Sequence, residues 1–169
     1  MSLSHKIPCL GIDFGGVIIP KEDFGNDEDN DFSDNPLEKH LQKEPLTYSF
    51  EAIRQLVSLF NGNVWIISKA GSRIEQFSRN WLTTYNFFEK TGIFLKNIRF
   101  CREREEKLDF CIELKVTHFI DDRIHIMQIL QGTVEHLYLF GPQKGNPKSK
   151  WWTWVTDWYE VFDKIENNF

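Results

Sequence analysis

Pro8-Cys9-Leu10-Gly11-Ile12-Asp13-Phe14-Gly15-Gly16-Val17 is an apolar run that stops at a carboxylate and then at two glycines. A continuous apolar run bounded by turn residues predicts a strand buried on both faces that closes in a tight loop. Val17 to Ile19 returns to apolar character beyond the glycines. Burial on both faces implies a parallel sheet covered by helices on either side, so the rest of the chain should alternate strand and helix.

Downstream it does. From Ser49, the residues Phe50, Ile53, Leu56, Val57 and Phe60 follow a helical period that Asn61-Gly62-Asn63 stops. Val64-Trp65-Ile66-Ile67 predicts a second buried strand, finishing at Ser68. Ile74, Phe77, Trp81, Leu82, Tyr85 and Phe88 predict a helix over 72–88, and 98–101 predicts a strand of weaker pattern. A charged helix follows over 104–114, then a strand over 117–120, a helix over 123–130, a strand over 135–140 and a terminal helix over 155–165. The expectation is an α/β, three-layer Rossmann-like fold, one domain over residues 1–169, around a mostly parallel sheet of about five strands.

The bulk composition narrows the function. A net charge of −5 and a pI near 5.5 oppose a broad phosphate-neutralising surface, so bulk nucleic-acid binding is not expected. No stretch approaches the roughly 20 apolar residues that cross a bilayer, and residues 1–6 lack the pattern of a secretory leader, so a cytoplasmic location is the expectation. Cys9, Cys101 and Cys111 match no zinc or redox spacing and read as reduced core residues. Glu22 to Asp34 places seven carboxylates among Asn, Gly and Ser, which predicts an acidic surface loop over about 22–48. Asp27, Asp29, Asp31 and Glu38 fall at positions 1, 3, 5 and 12 of a calcium loop, but Phe32 stands where the sharp turn requires glycine.

In a sheet of this kind ligands sit at the carboxyl ends of the strands. The residues closing those ends are Asp13, Ser68 and the pair Asp121-Asp122, and Lys107 stands on the helix before the last of these strands. Carboxylates, a hydroxyl and an ammonium on one rim suit Mg²⁺ with a phosphate, because Mg²⁺ takes hard oxygen ligands, usually one or two carboxylates plus waters and phosphate oxygens.

Ile12-Asp13-Phe14-Gly15-Gly16-Val17, Ile66-Ile67-Ser68, Lys107 and Phe119-Ile120-Asp121-Asp122-Arg123 together resemble, in order and spacing over nearly the whole chain, the four motifs of the haloacid dehalogenase superfamily. The resemblance implies Asp13 as nucleophile of an aspartyl-phosphate mechanism and Asp13, the Gly15 carbonyl and Asp122 as Mg²⁺ ligands. It implies Phe14, Gly15, Ser68, Lys69 and Lys107 as phosphate-binding groups, with Lys107 and Ser68 taking part in catalysis and Asp121 and Arg123 in support. The implied activity is phosphomonoester hydrolysis.

Two departures from the superfamily pattern matter. Gly15 stands where most of its phosphatases carry a second Asp as general acid and base, which leaves open a catalytically weak domain with a binding or scaffolding role. His125 and His40 are the remaining candidates for a substitute. The chain also lacks room for a large cap domain, and in the superfamily an open site implies a large phosphorylated substrate or a cover borrowed from another subunit. Ile120-Asp121-Asp122-Arg123 is similar to the late motif of polynucleotide 3′-phosphatases and residues 150–165 to the tail of deoxyribonucleotidases, so the expected substrate is a nucleotide, a nucleic-acid end or a phosphoprotein. Trp154 and Trp158 are expected to dock the last helix on the sheet, while Trp151 and Trp152, flanked by Lys144, Lys148 and Lys150, are candidates to meet a polyanion.

Overall fold

The computed structural model describes residues 6–21, 39 and 41–169. The acidic stretch 22–34, the calcium-like spacing and His40 lie outside the described residues. The first apolar run forms β1 (Leu10–Ile12), buried throughout. Beyond β1 the Phe14 carbonyl accepts the amides of Val17, Ile18 and Ile19 at 3.3, 2.9 and 3.3 Å, which coils Val17 to Ile19 into a turn instead of an extension of the strand.

The remaining elements are α1 (Ser49–Leu59), β2 (Val64–Lys69), α2 (Ser72–Thr84), α3 (Phe87–Thr91), β3 (Ile98–Cys101), α4 (Glu106–Glu113), β4 (His118–Asp121), α5 (Ile124–Leu130), β5 (His136–Phe140), β6 (Thr153–Val155) and α6 (Trp158–Glu166). The helix expected over 72–88 is two. Tyr85 ends α2, and Asn86, at φ 52°, takes the left-handed conformation that asparagine tolerates, turning the chain into α3.

The sheet has six strands rather than about five. Thr153–Val155 is the added one, and Trp154 lies on this edge strand, not on the terminal helix. Residues 154 and 158 are four apart, a spacing that imitates a helix, but the pairing of Tyr138 to Phe140 with Thr153 to Val155 extends the backbone there. α6 starts only at Trp158, where the Asp157 carboxylate accepts from the Glu160 amide (2.9 Å) and the Glu160 carboxylate from the Thr156 amide (2.8 Å), a reciprocal cap. Trp158 itself is fully buried and donates its indole N–H to the Val17 carbonyl at 2.7 Å, docking the helix under the turn that follows β1.

All six strands are parallel in the order β3-β2-β1-β4-β5-β6. Progression from β1 runs outward through β2 and β3, then returns to β4 on the other side of β1. The sequence order therefore reverses between β1 and β4, and a crevice opens at the carboxyl ends of those two strands. On one face Leu10, Ile12, Ile53, Trp81, Phe87 and Val161 form the larger core cluster, under α1, α2, α3 and α6. On the other, Phe119, Cys111, Ile126, Met127 and Leu139 pack beneath α4 and α5. Gly11 permits this second packing, since a Cβ there would stand 2.5 Å from the Phe119 ring. The three cysteines are free and buried, and burial pushes their thiols up to about 11, 11 and 12 for Cys9, Cys101 and Cys111. No described helix is long and apolar enough to cross a membrane, and between β2 and α4 the chain holds only α2, α3 and β3, with no inserted domain.

Candidate active site

Asp13 follows β1 directly, and its amide donates to the Ile120 carbonyl of β4 at 2.9 Å, so the end of β1 is sewn to the strand that carries Asp121. With Ile12 level with Ile120, the carboxylates of Asp13, Asp121 and Asp122 meet in the crevice, and ligand oxygens from all three lie within 4.8 Å of one another. All three aspartates are buried.

Lys107 makes that burial tolerable. It comes from the first turn of α4, is 2% exposed, and its Nζ lies 2.7 Å from Asp121 Oδ2 and 3.0 Å from Asp13 Oδ1. A lysine among Arg102, Arg104 and Lys115 in the sequence could equally have been solvated; the structure places it inside. Burial opposes its charge, but the adjacent Asp121 and Asp13 carboxylates outweigh that and raise its pKa, so the ammonium stays protonated. Burial, reinforced by the Asp13 and Asp122 carboxylates and opposed by Lys107, raises Asp121 to about 7.

The three aspartates are not equivalent. Asp121 spends Oδ2 on Lys107 and Oδ1 on the Arg123 amide (3.0 Å), so both of its oxygens are engaged within the protein. Asp13 engages Oδ1 with Lys107. Asp122 engages Oδ2 with the Lys21 ammonium at 2.9 Å, while its Oδ1 is buried without a hydrogen-bond partner, the Arg123 Nε standing 4.0 Å away. A buried acceptor left unsatisfied costs about 1–3 kcal/mol, more for a charged group, so Asp122 Oδ1 is an atom in want of a cation or donor. Asp13 and Asp122 are therefore the pair with oxygens to offer a metal, and Asp121 is the member that holds Lys107.

The turn after Asp13 is shaped for the same crevice. Among the described residues the amides of Phe14 and Gly15 and the carbonyl of Gly15 enter no backbone hydrogen bond. Gly16 sits at φ +79°, and a Cβ on it would come within 2.6 Å of Asp122 Oδ2, so only glycine lets the turn lie against that carboxylate. At Gly15, by contrast, an added Cβ meets nothing within 4 Å. The side of the crevice nearest β2 carries Ser68, buried one residue before the end of that strand, and then Lys69. Ser68 is not a helix cap, because α2 begins after Gly71.

Several residues stand differently from their sequence reading. Arg123 reaches Asp122 only at 4.0 Å and contributes mainly its amide, to Asp121. His125 is exposed on α5 and pairs with Glu105 at 3.2 Å, with none of the three aspartates. Trp152 packs against the second core cluster and donates to the Pro147 carbonyl, whereas Trp151 is exposed with the Lys150 ammonium over its ring. Two contacts with Asp122 have no counterpart in the motif reading. One is the Lys21 ion pair. The other is Gln143, whose side-chain amide donates to the carbonyls of Asp122 (2.9 Å) and Phe140 (3.1 Å) and so ties the ends of β4 and β5 together. Gln143 lies on the loop after a strand, where the strand-end rule would have found it; nothing in the sequence marks Lys21.

No family model and no curated protein matches the chain in sequence. Solved structures do match in shape. A D,D-heptose 1,7-bisphosphate phosphatase from B. bronchiseptica, complexed with magnesium and phosphate, superposes with a TM-score of 0.68 at 10% identity, covering 96% of this chain and 99% of that one. A haloacid dehalogenase-like family hydrolase from Xanthomonas campestris gives a TM-score of 0.63 at 10% identity, covering 95% of each. With so little shared sequence but nearly complete coverage of both chains, the likeness is one of architecture, and this chain has the fold of the haloacid dehalogenase-like hydrolases.

Proposed function

We propose that this protein is a Mg²⁺-dependent phosphomonoester hydrolase that works through an aspartyl-phosphate on Asp13. The observation that carries the reading is the convergence of Asp13 and Asp122 from distant stretches of chain, with a buried ammonium on the first and, on the second, a buried oxygen that accepts no hydrogen bond. That donor set fits Mg²⁺: all hard oxygens, two carboxylates and the spare Gly15 carbonyl, with places left for water and phosphate. When bound, the cation supplies positive charge to the phosphoryl oxygens and orients them for in-line attack.

In the proposed reaction an oxygen of Asp13 bonds to phosphorus as the ester P–O bond breaks, and the leaving oxygen takes its proton from water, since Gly15 offers none. Water then attacks the same phosphorus, the bond to Asp13 breaks, and inorganic phosphate leaves with the carboxylate restored. Lys107, kept charged and in place by Asp121, neutralises the transferring group. Ser68 Oγ and the amides of Phe14, Gly15 and Lys69 donate to its oxygens. The absence of an inserted domain between β2 and α4 supports a substrate too large for a closed cavity, such as a nucleotide, a nucleic-acid end or a phosphoprotein. Comparing wild type with Asp13→Asn on a panel of aryl phosphates, nucleotides and phosphopeptides, with and without Mg²⁺, tests the proposal. Metal-dependent release of phosphate that disappears in the variant is expected; equal background rates in both would sink it.

One observation favours a second reading, a domain that keeps the site for binding with little turnover: the missing acid at Gly15. Because the space around that position is open and its φ is not positive, Gly15→Asp should fold normally. Gain of general acid–base assistance is worth about 10²–10⁴ in rate, so a jump of that size from near-background turnover would favour the binding reading for the natural chain.

A further inference from the structure

Asp122 already carries a cation of the chain's own. Lys21 Nζ lies 2.9 Å from Asp122 Oδ2, yet the two sides of this ion pair are unlike: the lysine side chain is 55% exposed and the aspartate 8%. The carboxylate is fixed, with Gln143 on its backbone carbonyl and the Gly16 backbone against Oδ2. The ammonium reaches it from solvent on a flexible four-carbon stem, and an arm so exposed holds its partner weakly and leaves at little cost. Lys107 is its opposite, buried and bridging two carboxylates.

The charges in the crevice say what the arm is for. Asp13, Asp121 and Asp122 face Lys107, Lys21 and, at 4.0 Å from Asp122 Oδ1, the Arg123 guanidinium, so the described site is balanced before any metal arrives. A divalent ion on Asp13 and Asp122 would meet a like charge already seated on the same Asp122 carboxylate, 2.9 Å from its Oδ2. Of the two lysines only Lys21 can withdraw.

Resting on the metal reading above, we infer that Lys21 is a tethered counter-ion that exchanges with the metal: it occupies Asp122 when no divalent ion is bound, gives way when one binds, and thereby sets the affinity of the site. Mg²⁺ binding is then a competition with an internal cation, and removing that competitor tightens it. Lys21 is a positioning residue in this account, acting through Asp122 and touching no reacting atom.

Isothermal calorimetry of Mg²⁺ into the full chain at fixed ionic strength, for wild type, Lys21→Met, Lys21→Arg and Lys164→Met, tests it directly. Lys164 is exposed on α6 and serves as a charge control. Lys21→Met should bind Mg²⁺ about 3- to 30-fold more tightly, the scale set by one lost competitor and one removed like charge near the ion. Lys21→Arg and Lys164→Met should stay within about twofold of wild type, since the first keeps the local charge and the second alters only a distant, screened one. If wild type binds and Lys21→Met is unchanged or weaker, or if Lys164→Met tightens binding equally, the inference is overturned alone. Failure of wild type to bind Mg²⁺ at millimolar concentration overturns the metal reading together with it.

Discussion

Replacing Lys107 by methionine should be the most damaging single change in the crevice, and its size can be worked out in advance. The side chain is 2% exposed, and its Nζ is 2.7 Å from Asp121 Oδ2 and 3.0 Å from Asp13 Oδ1. Methionine keeps most of the volume, so the change is one of charge: two buried carboxylates lose their shared cation. Removing one partner of a buried ion pair costs about 3–5 kcal/mol, and a domain of this size loses about 2–4 °C in Tm per kcal/mol, which gives a fall of roughly 6–20 °C. The loss should also depend on pH. Without Lys107 the pKa of Asp121, already raised by burial, rises further, so the folded variant binds a proton that the unfolded chain does not. Stability of the variant then falls as pH rises through that value, and the deficit against wild type should be larger at pH 8 than at pH 5. Urea and thermal unfolding at both pH values in metal-free buffer measure this, and Asp121→Asn added to Lys107→Met should recover at least half of the loss at pH 8. A Lys107→Met variant within about 1 kcal/mol of wild type at pH 8 would mean that Lys107 is no buried counter-ion, because a penalty of that size belongs to a surface pair.

Other predictions follow from single contacts. Gly16→Ala places a Cβ 2.6 Å from Asp122 Oδ2 at a φ of +79°, and should cost about 1–3 kcal/mol in unfolding free energy and weaken Mg²⁺-induced stabilisation in a thermal melt. His118 is 5% exposed with Nε2 unpartnered, and burial, helped by His136, holds it down to about 3. Its folded pKa is below the unfolded value, so the unfolded chain binds more protons between the two. Its contribution is complete above about pH 6.5 and is lost toward pH 3 at up to about 1.4 kcal/mol per pH unit. His118→Phe should remove that slope from the difference between urea titrations run from pH 4.5 to 8, and an unchanged slope would reject the assignment. Gly15→Asp should leave Tm within about 2 °C of wild type, since nothing lies within 4 Å of the new Cβ, and a larger fall in a thermal melt would contradict the open space seen there.

Much of this protein is legible in the order of its residues. Apolar runs ending in Asp13, Ser68 and Asp121 mark parallel strands and their ligand-binding ends, because burial on both faces leaves only the strand tip for a polar group. Helical periods between them supply the covering layers. The misreadings arise where local pattern is blind, to strand pairing in one case and to a left-handed turn in the other. Thr153–Val155 is three residues long, too short for alternation to register, and exists as a strand because β5 offers it an edge. Tyr85 and Phe88 continue an apolar period that the backbone breaks at Asn86.

What the order of residues determined by itself is the α/β class, the strand ends and the carboxylates on them. Tertiary structure alone divided the labour among those carboxylates. It put Lys107 inside, committed both oxygens of Asp121 to the protein, left Asp122 Oδ1 without a hydrogen bond and laid Lys21 on its other oxygen. Charge and hydrogen-bond satisfaction depend on distances of about 3 Å between groups far apart in the chain, and the folded sheet is what sets those distances.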